Sequence, residues 1–180
     1  MFFFRKATLL LLIGLSTASA VNAAKPGGVQ PGEIAPDIFG RSLVEDRKYR
    51  VSDFRGKVLI VDFWASWCGP CIISMPELEI LRSRMIRAGY GNQFEILGVN
   101  LDDDPDRAVA FLKQHPVSYP VIADLLGLGS REFGPRKLPS AYVISPTGKV
   151  AFIYYGYGKG YGNDLELRVL EELNAKADPR

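Results

Sequence analysis

The sequence predicts an α/β fold, a central mixed sheet of about five strands with helices on both faces. Three observations carry this. Residues 58–64 and 93–101 are apolar, β-rich runs of the kind buried on both faces of a parallel sheet. Residues 141–145 and 149–155 are two further strands joined by a Pro-Thr-Gly turn, which reads as a hairpin. Between and after them lie stretches with apolar residues three and four apart, the spacing of amphipathic helices.

The chain of 180 residues begins with a targeting signature. Arg5 and Lys6 precede an apolar run over 7–15, and small residues then offer a cleavage site at Ala18-Ser19-Ala20 or one ending at Ala23. The run is shorter than the roughly 20 apolar residues a spanning helix needs, so residues 1–23 read as a signal peptide, with an uncleaved anchor as the alternative. Loss of Arg5 and Lys6 takes two from the 22 basic residues and leaves them equal to the 20 acidic ones. A formally neutral chain argues against nucleic acid or an anionic membrane surface as partner. Residues 24–33, rich in Gly, Pro and Ala, read as a flexible tether, and 34–178 as one domain. Residues 49–57 lead into the first long strand, with Gly56 supplying a turn.

The strand over 58–64 is broken in polarity only by Asp62, and it runs into Ala65-Ser66-Trp67-Cys68-Gly69-Pro70-Cys71. Proline is favoured in a first helical turn, so Cys68 stands at a strand-to-helix corner with a helix N-terminus directed at its sulfur. The unpaired N–H groups and partial positive charge there stabilise a thiolate, bringing the thiol down from its usual pKa of about 8.5. Cys71 lies one helical turn on, on the same face, placed to attack a mixed disulfide on Cys68. Cys68 is thus the candidate nucleophile and Cys71 the resolving residue. A zinc site lacks ligands, since there is no other cysteine and His115 is the sole histidine. A structural staple across so small a loop constrains little of the unfolded chain.

The segment Val-Asp-Phe-Trp-Ala-Ser-Trp-Cys-Gly-Pro-Cys resembles the active site of thioredoxins, and Pro76 matches the proline that kinks their active-site helix. The flanking sequence, from about Glu33 to the last helix, resembles the exported thioredoxin-like thiol:disulfide oxidoreductases of the TlpA/ResA type. The resemblance implies a thioredoxin-like fold in which Asp62 takes the proton of Cys71. It makes Pro139 a cis-proline facing the cysteines, and it places the client against Trp67, Gly69, Pro70, Leu138 and Pro139. It implies no cofactor beyond the Cys68–Cys71 disulfide and no metal. In its own terms a carboxylate buried in a strand is costly, and burial raises its pKa. Two positions depart from the TlpA/ResA pattern. Ser74 stands where a glutamate is usual, leaving Glu77 as the nearest acid on the helix, and Ser140 follows the cis-proline where haem-protein reductants carry glutamate.

Beyond Cys71, the residues Met75, Leu78, Leu81, Met85 and Ile86 predict a helix buried on one side and ending near Gly89. Asp102-Asp103-Asp104 before Pro105 reads as a helix cap rather than a calcium loop, which would need a glycine and a distal glutamate. A helix over 105–114 follows, with Ala108, Phe111 and Leu112 inside and His115 on the surface. A strand is expected over 119–123 and a helix over 125–133, a strand-helix segment that resembles the insert separating the TlpA/ResA type from plain thioredoxin. Residues 156–163, Gly-Tyr-Gly-Lys-Gly-Tyr-Gly-Asn, read as a mobile glycine loop. Asn163 or Asp164 is then expected to cap a last helix with Leu165, Val169, Leu170 and Leu173 buried.

The expected activity is thiol–disulfide exchange outside the cytoplasm by a monomer, with a membrane thiol donor supplying electrons and disulfide-bearing proteins receiving them. Gly-Pro between the cysteines is the dipeptide of reducing thioredoxins, whose potential is about −270 mV. The alternatives are an oxidase or isomerase, and a peroxiredoxin-like peroxidase. The peroxidase shares an Ala-Pro-Asp start such as Ala35-Pro36-Asp37 but needs a threonine in the turn where Ala65-Ser66-Trp67 stands.

Overall fold

The computed structural model describes residues 27–177; the leader proposed for 1–23 lies outside them. A five-stranded sheet forms the centre, in the order β5-β4-β3-β6-β7. Its strands are β3 (Val58–Trp64), β4 (Phe94–Asn100), β5 (Val121–Ala123), β6 (Ser140–Ile144) and β7 (Val150–Tyr155), after a small antiparallel pair β1 (Phe39–Arg41) and β2 (Lys48–Arg50). β3 pairs in parallel with β4 on one side and antiparallel with β6 on the other, so it is the central strand, and all seven of its residues are buried. That explains its unalternating apolar sequence.

Even-numbered residues of β3 face the helices α1 (Gly69–Arg87), α2 (Pro105–Gln114) and α4 (Tyr161–Ala177) in one core cluster. Odd-numbered ones pack against the β1–β2 pair, a 3-10 turn over 51–54 and α3 (Leu128–Phe133) in a second. The connection β4–α2–β5 is a parallel crossover, and the turn between β6 and β7 closes at Gly148 with φ +86°. α1 buries Met75, Leu78, Leu81 and Met85 as the spacing predicts, but Ile86 is exposed, at 46%, because it lies outside the buried stripe near the helix end. Leu170 is half-buried, while Leu165, Val169 and Leu173 form the inner stripe of α4.

Two stretches read as loose are packed. Of the 24–33 tether, the described part docks on the domain. Val29 is buried, its N–H donates to Glu132 O, and Gly32 N donates to Val150 O. Glycine there serves close approach rather than mobility. A Cβ on Gly28, whose φ is +74°, would overlap the Phe133 carbonyl. The 156–163 segment is likewise tied down: Gly156 N donates to Pro139 O, and α4 already begins at Tyr161, so Asp164 sits in its first turn rather than capping it. Tyr161, counted in the loop by its glycine neighbours, is fully buried.

Candidate active site

Cys68 ends the turn after β3 and caps α1, its Sγ accepting from Cys71 N at 3.2 Å. It is joined to Cys71 by a disulfide with Cα atoms 5.3 Å apart. Cys68 is 5% exposed and Cys71 is fully buried, so attack from outside reaches Cys68 first. When reduced, a thiolate on Cys68 keeps the helix N-terminal N–H groups as partners. Gly69 and Pro70 are exposed beside it, and Trp67 stands 65% exposed. The Leu138–Pro139 bond is cis, with Pro139 buried and Leu138 half-buried. A groove of about 380 Å³ runs between Trp67 and Leu138, walled by Leu101, Asp103 and Leu125. A cavity of about 420 Å³ between Thr147 and Glu172 contains neither cysteine.

Asp62 is completely buried on the face of β3 that packs against α1 and α4. Its register partners are Gly98 on β4 and Ala141 on β6, two small residues that leave room for a carboxyl group. Tyr161 OH donates to Asp62 Oδ1 at 3.3 Å. Asp62 Oδ2, Trp64 Nε1 and Tyr119 OH are buried without a hydrogen-bond partner. A Cβ at Gly98 would stand 3.3 Å from Trp64 Nε1 and 3.4 Å from Tyr119 Cε2, so these groups converge over that glycine. Burial pushes the Asp62 carboxyl up to about 8, against a smaller downward pull from the Tyr161 hydrogen bond. Burial, reinforced by the Asp62 charge, also raises the phenols of Tyr119 and Tyr161 well above their usual value.

A second buried group holds the turn before the disulfide. Asp102 accepts from Ser66 N at 3.1 Å, Ser66 Oγ at 2.9 Å and Asn100 Nδ2 at 2.7 Å. The sequence reading of Asp102 as part of a cap is therefore corrected. Asp104 alone caps α2, accepting from Asp106 N, while Asp102 is 4% exposed and turned toward the active-site loop. Ser74, at the position where a glutamate was the usual residue, is buried and donates to Cys71 O. Glu77 accepts from Tyr157 OH at 2.6 Å and from Gly162 N at 2.9 Å. Among the described residues there is no group of three or more His, Cys, Asp or Glu placed to hold a metal, and no helix long and apolar enough to cross a membrane.

Residues 31–153 match the profile of the AhpC/TSA family. A thiol-disulfide oxidoreductase ResA from Geobacillus thermodenitrificans is 32% identical over 149 residues, covering 82% of this chain and 83% of that one. The chain belongs to the AhpC/TSA family, among its thiol-disulfide oxidoreductases. Solved structures agree with this AhpC/TSA assignment. A thiol:disulfide interchange protein of the DsbE kind from Chlorobium tepidum superposes with a TM-score of 0.72 at 33% identity, over 81% of this chain and 99% of that one. A secreted thiol-disulfide isomerase from Corynebacterium glutamicum does so with 0.65 at 27% identity, over 77% and 86%. The AhpC/TSA chain has the thioredoxin-like fold expected of it, with its cysteine pair at the end of the central strand. Sequence reasoning missed Tyr161, Tyr119 and the Asp102–Asn100–Ser66 cluster. The available signal was Asn100, a polar residue closing an otherwise apolar buried strand.

Proposed function

We propose that the chain is an exported disulfide reductase in which Cys68 is the nucleophile, Cys71 the resolving thiol and Asp62 the proton acceptor. The observation that carries this is the asymmetry of the pair: one cysteine on a helix N-terminus with a small edge, 5%, open to solvent, the other fully enclosed on the side of the sheet that holds a buried carboxyl group. The Cys68 thiolate attacks one sulfur of a client disulfide, and the other client sulfur leaves as a thiolate. Cys71 then passes its proton to Asp62 and attacks Cys68 Sγ, the client departs as a dithiol, and the Cys68–Cys71 disulfide forms. Two electrons have moved to the client. A dithiol donor at the membrane returns them by the reverse exchange.

Trp67, Gly69, Pro70, Leu138 and Pro139 form the client surface on this reading. Trp67, Gly69 and Pro70 are exposed, and Trp67 and Leu138 line the groove, which supports it. The Gly-Pro dipeptide supports the reducing direction. Equilibration of the leaderless protein against dithiothreitol buffers is expected to give a potential below about −220 mV; a value near −120 mV would mark a disulfide-forming oxidant instead. The AhpC/TSA match gives the peroxidase reading its own test. The reduced protein is expected to consume hydrogen peroxide no faster than free dithiothreitol does.

A further inference from the structure

Resting on Asp62 as the proton acceptor, we propose that Tyr161 is a positioning residue of the exchange reaction: its phenol holds the Asp62 carboxylate, and residues 156–162 strap that phenol to the rest of the site. Three contacts made by one short segment carry the inference. Gly156 N donates to Pro139 O at 2.6 Å, tying the start of the strap to the cis-proline. Tyr157 OH and Gly162 N both donate to Glu77, tying its middle and end to α1, the helix that carries the cysteines. Tyr161 OH donates to Asp62 Oδ1, and the Tyr161 ring is wedged between Tyr154 and Tyr157 with centroids 5.0 and 5.6 Å away. One segment therefore touches the cis-proline, the active-site helix and the buried carboxyl group. Glu77, the acid nearest the site along α1, is already engaged by the strap, which leaves Asp62 for the proton.

The groups around Asp62 are few. Tyr161 comes from α4, Tyr119 from the segment before β5, and Cys71 from α1 in the same buried cluster, while Gly98 and Ala141 on the flanking strands bring nothing titratable. Glu77 acts on Tyr161 and Glu79 on Tyr119, so neither carboxylate is the direct partner of Asp62. A hydrogen bond donated by a phenol favours the ionised carboxylate, the form that accepts a proton. Its loss disfavours that form.

The test is Tyr161→Phe, with two readouts: the Asp62 carboxyl titration by carbon NMR and the pH profile of thiol exchange by the reduced protein. The Asp62 midpoint is expected to rise by about one pH unit, and exchange at pH 7 to slow about tenfold, with the rates converging at high pH where Asp62 is ionised in both proteins. Tyr157→Phe, which removes the strap's bond to Glu77 but keeps the Tyr161 phenol, is expected to raise the midpoint by less than Tyr161→Phe does; a midpoint left in place there overturns the strap, and a rise as large as that of Tyr161→Phe overturns the phenol's direct part. An unmoved midpoint in Tyr161→Phe overturns the proposal. A midpoint that rises while the rate profile stays put overturns Asp62 as proton acceptor and leaves only the Tyr161 contact standing. If the phenylalanine variant does not fold, uniform 3-fluorotyrosine labelling strengthens the phenol as a donor; it must then lower the Asp62 midpoint, and a midpoint unchanged or raised overturns the proposal.

Discussion

A carboxyl group at position 62 is held at the cost of stability. Its pKa is near the ordinary 3.8 in the unfolded chain and about 8 in the folded one. Between those values the unfolded chain is ionised while the folded chain stays protonated, so stability is full below pH 4, falls as pH rises to 8 and levels off above. Asp62→Asn removes that loss. It is expected to stabilise the oxidised protein by a few kcal/mol at pH 8 and by little at pH 4, read as urea midpoints at the two pH values. Cys71→Ser is expected to trap clients as mixed disulfides on Cys68, visible on non-reducing gels, while Cys68→Ser traps none. Cys68, Cys71 and Asp62 are marked by their immediate neighbours, thiols flanking Gly-Pro and an acid inside an apolar run, whereas the cis bond at Pro139 was legible only through the family resemblance. Tyr161 was not, because the residue it serves is 99 positions away and its own neighbours are glycines.

Among elements, the legible part is the sheet and its helices, whose periodicities depend on burial that the structure bears out. The misread parts are the joints. In the 102–104 run all three aspartates look alike in sequence, yet only the tertiary position of Ser66 decides that Asp102 turns inward and Asp104 caps. Asp102→Ala leaves Ser66 N, Ser66 Oγ and Asn100 Nδ2 without their acceptor. It is expected to cost about 2–3 kcal/mol in urea unfolding, with faster amide exchange confined at first to residues 65–68. Glycine-rich composition argued for mobility at 24–33 and 156–163; in the first, Gly28 instead lets backbone approach the Phe133 carbonyl, and in the second, hydrogen bonds to Pro139 and Glu77 tie the segment down.

For the molecule as a whole, the order of the strands matters more than any single contact. A chain beginning at residue 34 is expected to melt several degrees below one beginning at 27, because it lacks the buried Val29 and the backbone bonds to Glu132 and Val150. Those bonds join the first described residues to the last third of the chain, and β3 gains its second neighbour only at β6. A ribosome delivers the chain N-terminus first. Until residue 144 has emerged, the central strand is paired on one side only, and until Tyr161 follows, Asp62 lacks its donor. The cysteines are made early and enclosed late, so throughout synthesis the pair is open to whatever thiols surround the nascent chain, and the redox state it is born with is set by its surroundings before its own fold has any say.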